Sequence, residues 1–432
     1  MHLSGWGRYP VVRARAASFS STGELAARLA PGGPAIPYGL GRSYGDSALG
    51  GDVLLTRRLS CILDFDPQAG EVTCEAGVSL AELVDAFLPR GWFLAVTPGT
   101  RHVTVGGAIA SDVHGKNHHV AGCFSEGVLW LELMLPDGRV VRCSATQNER
   151  LFRATCGGMG LTGVIVAARL RLARVTSSVI EQKTIKAANL EDIFALFDRY
   201  ASYTYSVAWI DCLAKGEALG RSLLMVGEHA PDGGLEPLRE ARLGVPVDMP
   251  SCTLNSLSVK LFNALYYGRV RGREADARVG LGSFFYPLDA VRGWNRVYGK
   301  RGFTQYQFVL PLESSLAGMR RVLEEISAAG MGSFLAVLKL FGGENGNLLS
   351  FPREGYTLAL DFRIEPRLFG LLDRLDAVVL DHGGRLYLTK DVRMSPETFR
   401  KGYPRLGEFM ELRREMGFDR HFQSLQSTRL EY

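Results

Sequence analysis

Two glycine-rich stretches about sixty residues apart do most to limit what this chain can fold into. The first is Tyr38-Gly39-Leu40-Gly41-Arg42-Ser43-Tyr44-Gly45-Asp46. The second runs from Thr104, Val105, Gly106 and Gly107 through Ser111, Asp112 and His114. Glycine lets backbone N–H groups approach and encircle an anion with no side chain in the way. One such loop is weak evidence. Two, each after a β-type run, point to a large ligand gripped along a diphosphate. The first is not a Rossmann fingerprint, which needs a long helix after the loop and an acidic residue about 20 positions on. Here Ala48-Leu49-Gly50-Gly51 follows and then a strand, which leaves no room for that helix.

At 432 residues the chain exceeds what one hydrophobic core usually supports, so two domains are expected. Hydrophobic residues make up 46% and charged residues 22%, an ordinary globular balance. The net charge of +5 is too mild to imply nucleic acid. Seven scattered cysteines (Cys61, Cys74, Cys123, Cys143, Cys156, Cys212, Cys252) include no C-x-x-C pair. That argues against a disulfide framework or zinc ribbon and for reduced thiols in a cytoplasmic setting. No charged and then apolar leader opens the chain, and no run reaches the roughly 20 apolar residues of a spanning helix. A soluble or peripheral protein is expected.

Strand-like runs at 53–56, 61–66 and 71–76 lead into a helix that Ser79 caps, with Glu82 completing a capping box and Gly91 closing the segment. A hairpin is expected over 128–143. Residues 161–172 alternate as a half-buried strand, with Arg169 and Arg171 outward. Later the order is strand 303–311, helix 312–329, strand 333–341, strand 356–364, helix 367–382 and strand 385–389. This β-α-β-β-α-β order is the split βαβ unit, in which two helices cover one face of an antiparallel sheet. Gln305 and Gln307 share the open face, and Lys339 projects from an otherwise apolar strand, so that face is expected to line a pocket. Residues 249–280 read as irregular, with an apolar cluster beside Lys260, Arg269, Arg271 and Arg273. Two readings stay open there: contact with an anionic membrane surface or lipid tail, or a helix packed on the domain with a solvated basic end.

These stretches, together with 3–8, 98–101, His114-Gly115-Lys116-Asn117-His118-His119, 158–163, 203–205, 294–296, 305–308, 339–342, 349–352, 383–387 and Lys390-Asp391, run in order from residue 3 to about 405. In them the chain resembles flavoproteins of the vanillyl-alcohol-oxidase type, and within these the decaprenylphosphoryl-β-D-ribose 2′-oxidase family. The resemblance implies an α+β, two-domain FAD-binding fold with a split-βαβ, antiparallel-sheet substrate domain. Residues 1–176 and 385–432 would form the FAD domain and 177–384 the substrate domain.

The resemblance implies FAD contacts from both glycine stretches and from Gly99, Ile165 and Tyr387. Relatives that bind FAD covalently use a histidine before the serine of the first loop. Arg42 stands there, so non-covalent FAD is expected. Lys390 is the expected base or flavin-stabilising cation, with Tyr44 assisting. Gln305, Gln307, Lys339, His114, Trp209 and Phe285 are expected to line the substrate site, with core packing as the plainer reading for Trp209 and Phe285 and cross-sheet hydrogen bonding for the glutamines. A metal at His114, His118 and His119 is not expected, because Gly115 interrupts the helix such a pair needs. Thr357 and Ala359 replace an asparagine and a cysteine of the mycobacterial pattern, and Phe285-Tyr286 stands where that pattern has Tyr-His. The implied reaction is oxidation of the 2′-hydroxyl of a polyprenyl-phosphate pentose. An NAD(P)H-dependent short-chain reductase would complete the epimerisation to arabinose, at the inner membrane face. Oxidation of a soluble sugar, alditol or aldonolactone is the rival activity, and a flavin-fold scaffold the non-enzymatic one.

Overall fold

The computed structural model describes residues 1–30, 32–238, 241, 243–250 and 253–432; Cys252 and part of the 249–280 segment lie outside the described residues. Strands β1 (Arg15–Ser18), β2 (Ile36–Tyr38) and β3 (Asp52–Leu55) form a parallel sheet in the order β1-β3-β2. Parallel neighbours need a long crossover. Between β2 and β3 that crossover is the first glycine stretch itself, so the loop arches off the sheet without a helix.

The next sheet is built from β4 (Ile62–Asp66), β5 (Glu71–Glu75), β6 (Trp92–Leu94), β7 (Val128–Met134), β8 (Val140–Cys143) and β9 (Val164–Arg174), in the order β8-β7-β9-β5-β4, with β6 also on β9. Helix α1 (Leu80–Phe87) carries the capping box in both directions: Ser79 Oγ accepts from Glu82 N, and the Glu82 carboxylate accepts from Ser79 N. Gly91 ends the segment in the left-handed region at φ 82. Helix α2 (Val105–Ala110) begins at Thr104, whose hydroxyl accepts from Gly107 N. β9 is half-buried only in its second part, where Arg169 pairs with Glu71. Its first part, Val164–Ala168, is buried on both faces because α2 packs on it.

The third sheet has eight antiparallel strands. Its first half comprises β10 (Val179–Ala187), α3 (Leu190–Arg199), β11 (Tyr205–Ile210), β12 (Ser222–His229), α4 (Ser256–Gly268) and β13 (Glu274–Gly280). Its second half comprises β14 (Phe303–Pro311), α5 (Leu312–Ala329), β15 (Ala336–Phe341), β16 (Gly355–Arg363), α6 (Leu368–Asp381) and β17 (Arg385–Leu386). The strand order is β13-β10-β12-β11-β15-β16-β14-β17. The second half is the split βαβ unit expected from the sequence. The first half repeats its strand order, so two such units meet edge to edge at β11 and β15. No sequence repeat announces this.

Three expectations need correction. The 249–280 segment is regular where described, holding α4 and β13. Val259 and Asn263 turn to the core and Tyr266 to Trp209, while Leu257, Leu261, Phe262 and Leu265 stay exposed, so the apolar residues do not mark a single buried face. β15 starts at Ala336 rather than Ser333, because Ser333 Oγ bonds locally to Leu335 and takes the place of a ladder. The last strand stops at Leu386, and the chain turns through Tyr387 to Lys390, whose N–H reaches the Tyr387 carbonyl. β17 is hydrogen-bonded to β14 at the edge of the large sheet.

Helices α5 and α6 cover one face of the second unit, where Tyr306 and Phe308 lie buried and Tyr306 Oη donates to Asp376. Strand alternation puts Gln305, Gln307, Lys339, Thr357, Ala359 and Asp361 on the other face. Register extends that face across the junction to Trp209, opposite Val337. α4 lies on the same side, with Tyr266 packed on Trp209 at 4.8 Å.

Candidate active site

Between the glycine stretches and the open face of the large sheet lies a cavity of about 1770 Å³. Pockets for one drug-sized ligand run to about 300–1,000 Å³, so the space suits a dinucleotide and a second molecule together.

The first glycine stretch is held from behind. Trp6 N donates to Ser43 O at 2.7 Å and Tyr44 N to Thr389 O at 3.0 Å. Gly39 is where the two stretches touch, since a Cβ there would lie 2.4 Å from Thr104 Oγ1. Gly41 has φ +61, and a Cβ would lie 2.0 Å from Tyr38 Oη. Among the described residues, the backbone N–H groups of Leu40, Gly41, Arg42 and Ser43 have no acceptor. Four successive free donors on a cavity wall make an anion-binding nest that suits a diphosphate. Arg42 stacks its guanidinium 4.0 Å from the Trp6 ring centroid and donates to His102 O.

The cavity wall includes Gly39, Leu40, Gly41, Arg42, Ser43, Tyr44, Gly99, Thr104, Gly106, Gly107, Ser111, His114, Ile165, Tyr387 and Lys390, as well as Trp209, Phe285, Gln305, Gln307 and Lys339. Five other expected contacts turn away from it. Tyr38 donates its hydroxyl to Ser4 O at 2.9 Å. Gly45 packs against the Asp391 carbonyl. Asp46 binds Arg429. Val105 is a core side chain. Asp112 is fully buried and accepts from Ser125 N, Asn345, Asn347 and Ser350, which ties the second stretch to the 345–350 segment. A sequence cannot show which side of a glycine loop a polar residue takes.

Of the three histidines only His114 lines the cavity. Gln307 Nε2 lies 3.1 Å from His114 Nε2 and donates to Thr357 Oγ1, and His114 Nδ1 is buried without a partner. Burial pushes the His114 pKa well down, so the ring is neutral. His118 accepts from Gly342 N, and His119 meets Tyr203 O. Among the described residues no three His, Cys, Asp or Glu side chains are grouped to hold a metal ion.

Lys390 sits with Nζ 4.0 Å from the Tyr44 ring centroid. Burial lowers its pKa to about 7, while attraction to Asp361 raises it and Lys339 lowers it. Asp361 was not singled out from the sequence, where it reads as the end of an apolar strand. It is buried directly opposite Gln305, which donates to it at 2.6 Å, and Tyr298 Oη lies at 3.3 Å. Burial raises its carboxyl to about 7. Lys339, lowered by burial to about 8, has no carboxylate partner among the described residues. Lys116, also missed, is lowered to about 7 by burial and by Lys339, and it donates to Phe284 O. Lys116, Lys339 and Lys390, with the exposed Lys300, thus line one cavity, an arrangement suited to an anion. Trp209 and Phe285 serve both readings: each lines the cavity, Trp209 also bonds Phe334 O, and Phe285 packs on Phe93 and Tyr205. Ala359 occupies the wall where the mycobacterial pattern has a thiol, and no cysteine lines the cavity among the described residues.

A family model described as "FAD binding domain" matches residues 21–144. The chain is 38% identical to decaprenylphosphoryl-β-D-ribose oxidase of Mycolicibacterium smegmatis, over 99% of this chain and 97% of that one. It is 34% identical to an uncharacterised protein of Streptomyces coelicolor, over 78% and 95% of the two chains. L-gulonolactone oxidase 3 of Arabidopsis thaliana matches at 27%, over 34% of this chain and 26% of that one.

Proposed function

Because the chain belongs to the decaprenylphosphoryl-β-D-ribose oxidase family of vanillyl-alcohol-oxidase-type flavoproteins, and is an FAD-dependent oxidoreductase, we propose that it oxidises the 2′-hydroxyl of a polyprenyl-phosphate-linked ribose to the 2′-ketone. The observation that carries this reading is that one cavity joins a nest of free N–H groups to a wall bearing Lys390, Lys339 and Lys116. The free nest donors, the tight approach of Gly39 to Thr104 and the orphaned His114 Nδ1 all fit FAD. Residues 1–176 and 385–432 would hold it, with the 177–384 segment presenting substrate.

When bound, FAD supplies the two-electron acceptor for the hydride leaving the carbinol carbon. The proton on the hydroxyl oxygen goes to Lys390 Nζ, which near neutral pH is available as free amine. Asp361, oriented by Gln305 and Tyr298, holds that lysine in the field of a carboxylate and limits how far its pKa falls. Tyr44 places an aromatic face beneath the ammonium that results. Lys339 and Lys116 bind the phosphodiester, and charge-assisted contacts of this kind are about twice as strong as neutral ones. Gln307, fixed by His114 and Thr357, addresses the sugar. Trp209 and Phe285 exclude water beside the first prenyl units.

The 2′-ketone is the oxidised half of a ribose-to-arabinose epimerisation, and an NAD(P)H-dependent short-chain reductase is the partner that completes it. No described helix is long and apolar enough to cross a membrane. Peripheral placement at the inner membrane face belongs to the proposed reading. Turnover of polyprenyl-phosphoribose compared with free ribose, an alditol and an aldonolactone tests the reading. Preference for the prenyl phosphate is expected, and preference for a free sugar refutes it.

A further inference from the structure

Helix α4 carries its apolar stripe on the outside. Leu257, Leu261 and Leu265, spaced four residues apart on one face, are 77%, 61% and 68% exposed, and Phe262 beside them is 41% exposed. Helices on a globular surface normally turn such a stripe to the core. Two residues of the adjoining segment, Leu243 and Val247, are 70% and 63% exposed.

Along α4 and the turn after it the charge has one sign, bounded by Asp248, which pairs with Arg8, and by Glu274, which pairs with Lys183. From 249 to 273 the sequence holds Lys260, Arg269, Arg271 and Arg273 and no aspartate or glutamate. All four are exposed. Among the described residues, Lys260, Arg271 and Arg273 have no carboxylate partner. The same elements wall the cavity from within, through Tyr266 of α4, Arg269 just after it and residues 244–248. Gly244, Val247 and Arg269 are both exposed and cavity-lining, so the cavity reaches the surface at this patch.

We propose that this face docks on an anionic phospholipid surface, with α4 lying in the interface, its leucines among the acyl chains and its basic residues on the headgroups. An interfacial helix is held by apolar burial together with attraction to anionic lipid, and α4 supplies both. The arrangement sets the cavity mouth against the bilayer, so a prenyl phosphate enters with its tail still in lipid. The inference deepens the reading of a lipid-linked substrate and can be tested without one.

Holoenzyme is sedimented with vesicles of phosphatidylcholine, with and without phosphatidylglycerol. Binding is expected only with phosphatidylglycerol, falling as salt screens the charges. In a Leu261→Glu/Leu265→Glu variant it is expected to fall about tenfold or more while the flavin absorbance is unchanged. Arg271→Glu/Arg273→Glu, which leaves the apolar stripe intact, is expected to weaken binding likewise. Binding that ignores lipid charge overturns the proposal, as does full binding by either variant. A dimer that Leu261→Glu/Leu265→Glu dissociates, with no vesicle binding by the native chain, assigns the face to a second copy and overturns it too. Turnover of a soluble short-chain prenyl-phosphoribose separates the two readings. Vesicle binding without turnover sinks the substrate reading alone, and turnover without vesicle binding sinks the docking face alone.

Discussion

Lys390 places its ammonium nitrogen 4.0 Å from the centroid of the Tyr44 ring, so the last turn after the large sheet meets the first glycine stretch at one point of the cavity. Tyr44 in turn packs edge-on against Phe303 at 5.3 Å, and Phe303 stacks on Tyr298, which contacts Asp361. The lysine and the carboxylate that influences it are therefore braced by one aromatic cluster.

That coupling fixes a pH dependence. A lysine lowered from 10.5 to about 7 is a base only when neutral, so the rate of flavin reduction should rise as pH rises through about 7. The Asp361 carboxylate raises the lysine pKa, and Asp361→Asn removes that influence. The rising limb should move to lower pH in the variant, with FAD content unchanged. Stopped-flow reduction across pH checks this, and an unmoved limb contradicts it.

Lys339 is buried at a cost in stability. Burial lowers its pKa from 10.5 to about 8, so the unfolded chain holds the extra proton between those values and the penalty is full below about 8. Lys339→Met is expected to raise Tm at pH 7, with the gain closing toward pH 10.5. The same variant should raise KM for the prenyl phosphate and leave any residual turnover of free sugar unaltered. Thermal scans and steady-state kinetics read the two effects separately.

Gly41→Ala tests the nest. Its φ of +61 and the Tyr38 hydroxyl 2.0 Å from the missing Cβ leave no room for a side chain. Strain of about 1–3 kcal/mol is expected at such a site. FAD affinity, measured by reconstitution of the apoprotein, should fall by about tenfold or more.

Asp112→Ala should act on stability rather than directly on chemistry. It removes the acceptor for Ser125 N, Asn345, Asn347 and Ser350 and leaves buried donors without partners. A loss of about 3 kcal/mol is expected in denaturant unfolding.

The large elements were legible where local chemistry and packing agree. Strand 303–311 and helix 312–329, with Gly330 at φ 66, follow from alternation, apolar spacing and a left-handed stop. The capping box at Ser79 is equally local. What stayed hidden depends on neighbours far along the chain. Asp46 and Asp112 sit in glycine stretches, yet they answer to Arg429 and to the 345–350 segment. Asp361 becomes conspicuous only when β14 sets Gln305 against it. The repeat of the split unit is a matter of strand order, which a sequence without matching motifs does not display. Helix α4 stayed one of two open readings because its leucines face away from the core.

The proposed function requires that substrate hydroxyl, Lys390 and bound FAD meet in this one cavity. Anaerobic titration of the holoenzyme with polyprenyl-phosphoribose addresses it most directly, comparing the native chain with Lys390→Met. The flavin absorbance of the native enzyme should bleach at one equivalent, and the variant, with FAD still bound, should bleach slower by about 10²–10⁴-fold. A native flavin that stays oxidised, or a variant that bleaches at the native rate, contradicts it.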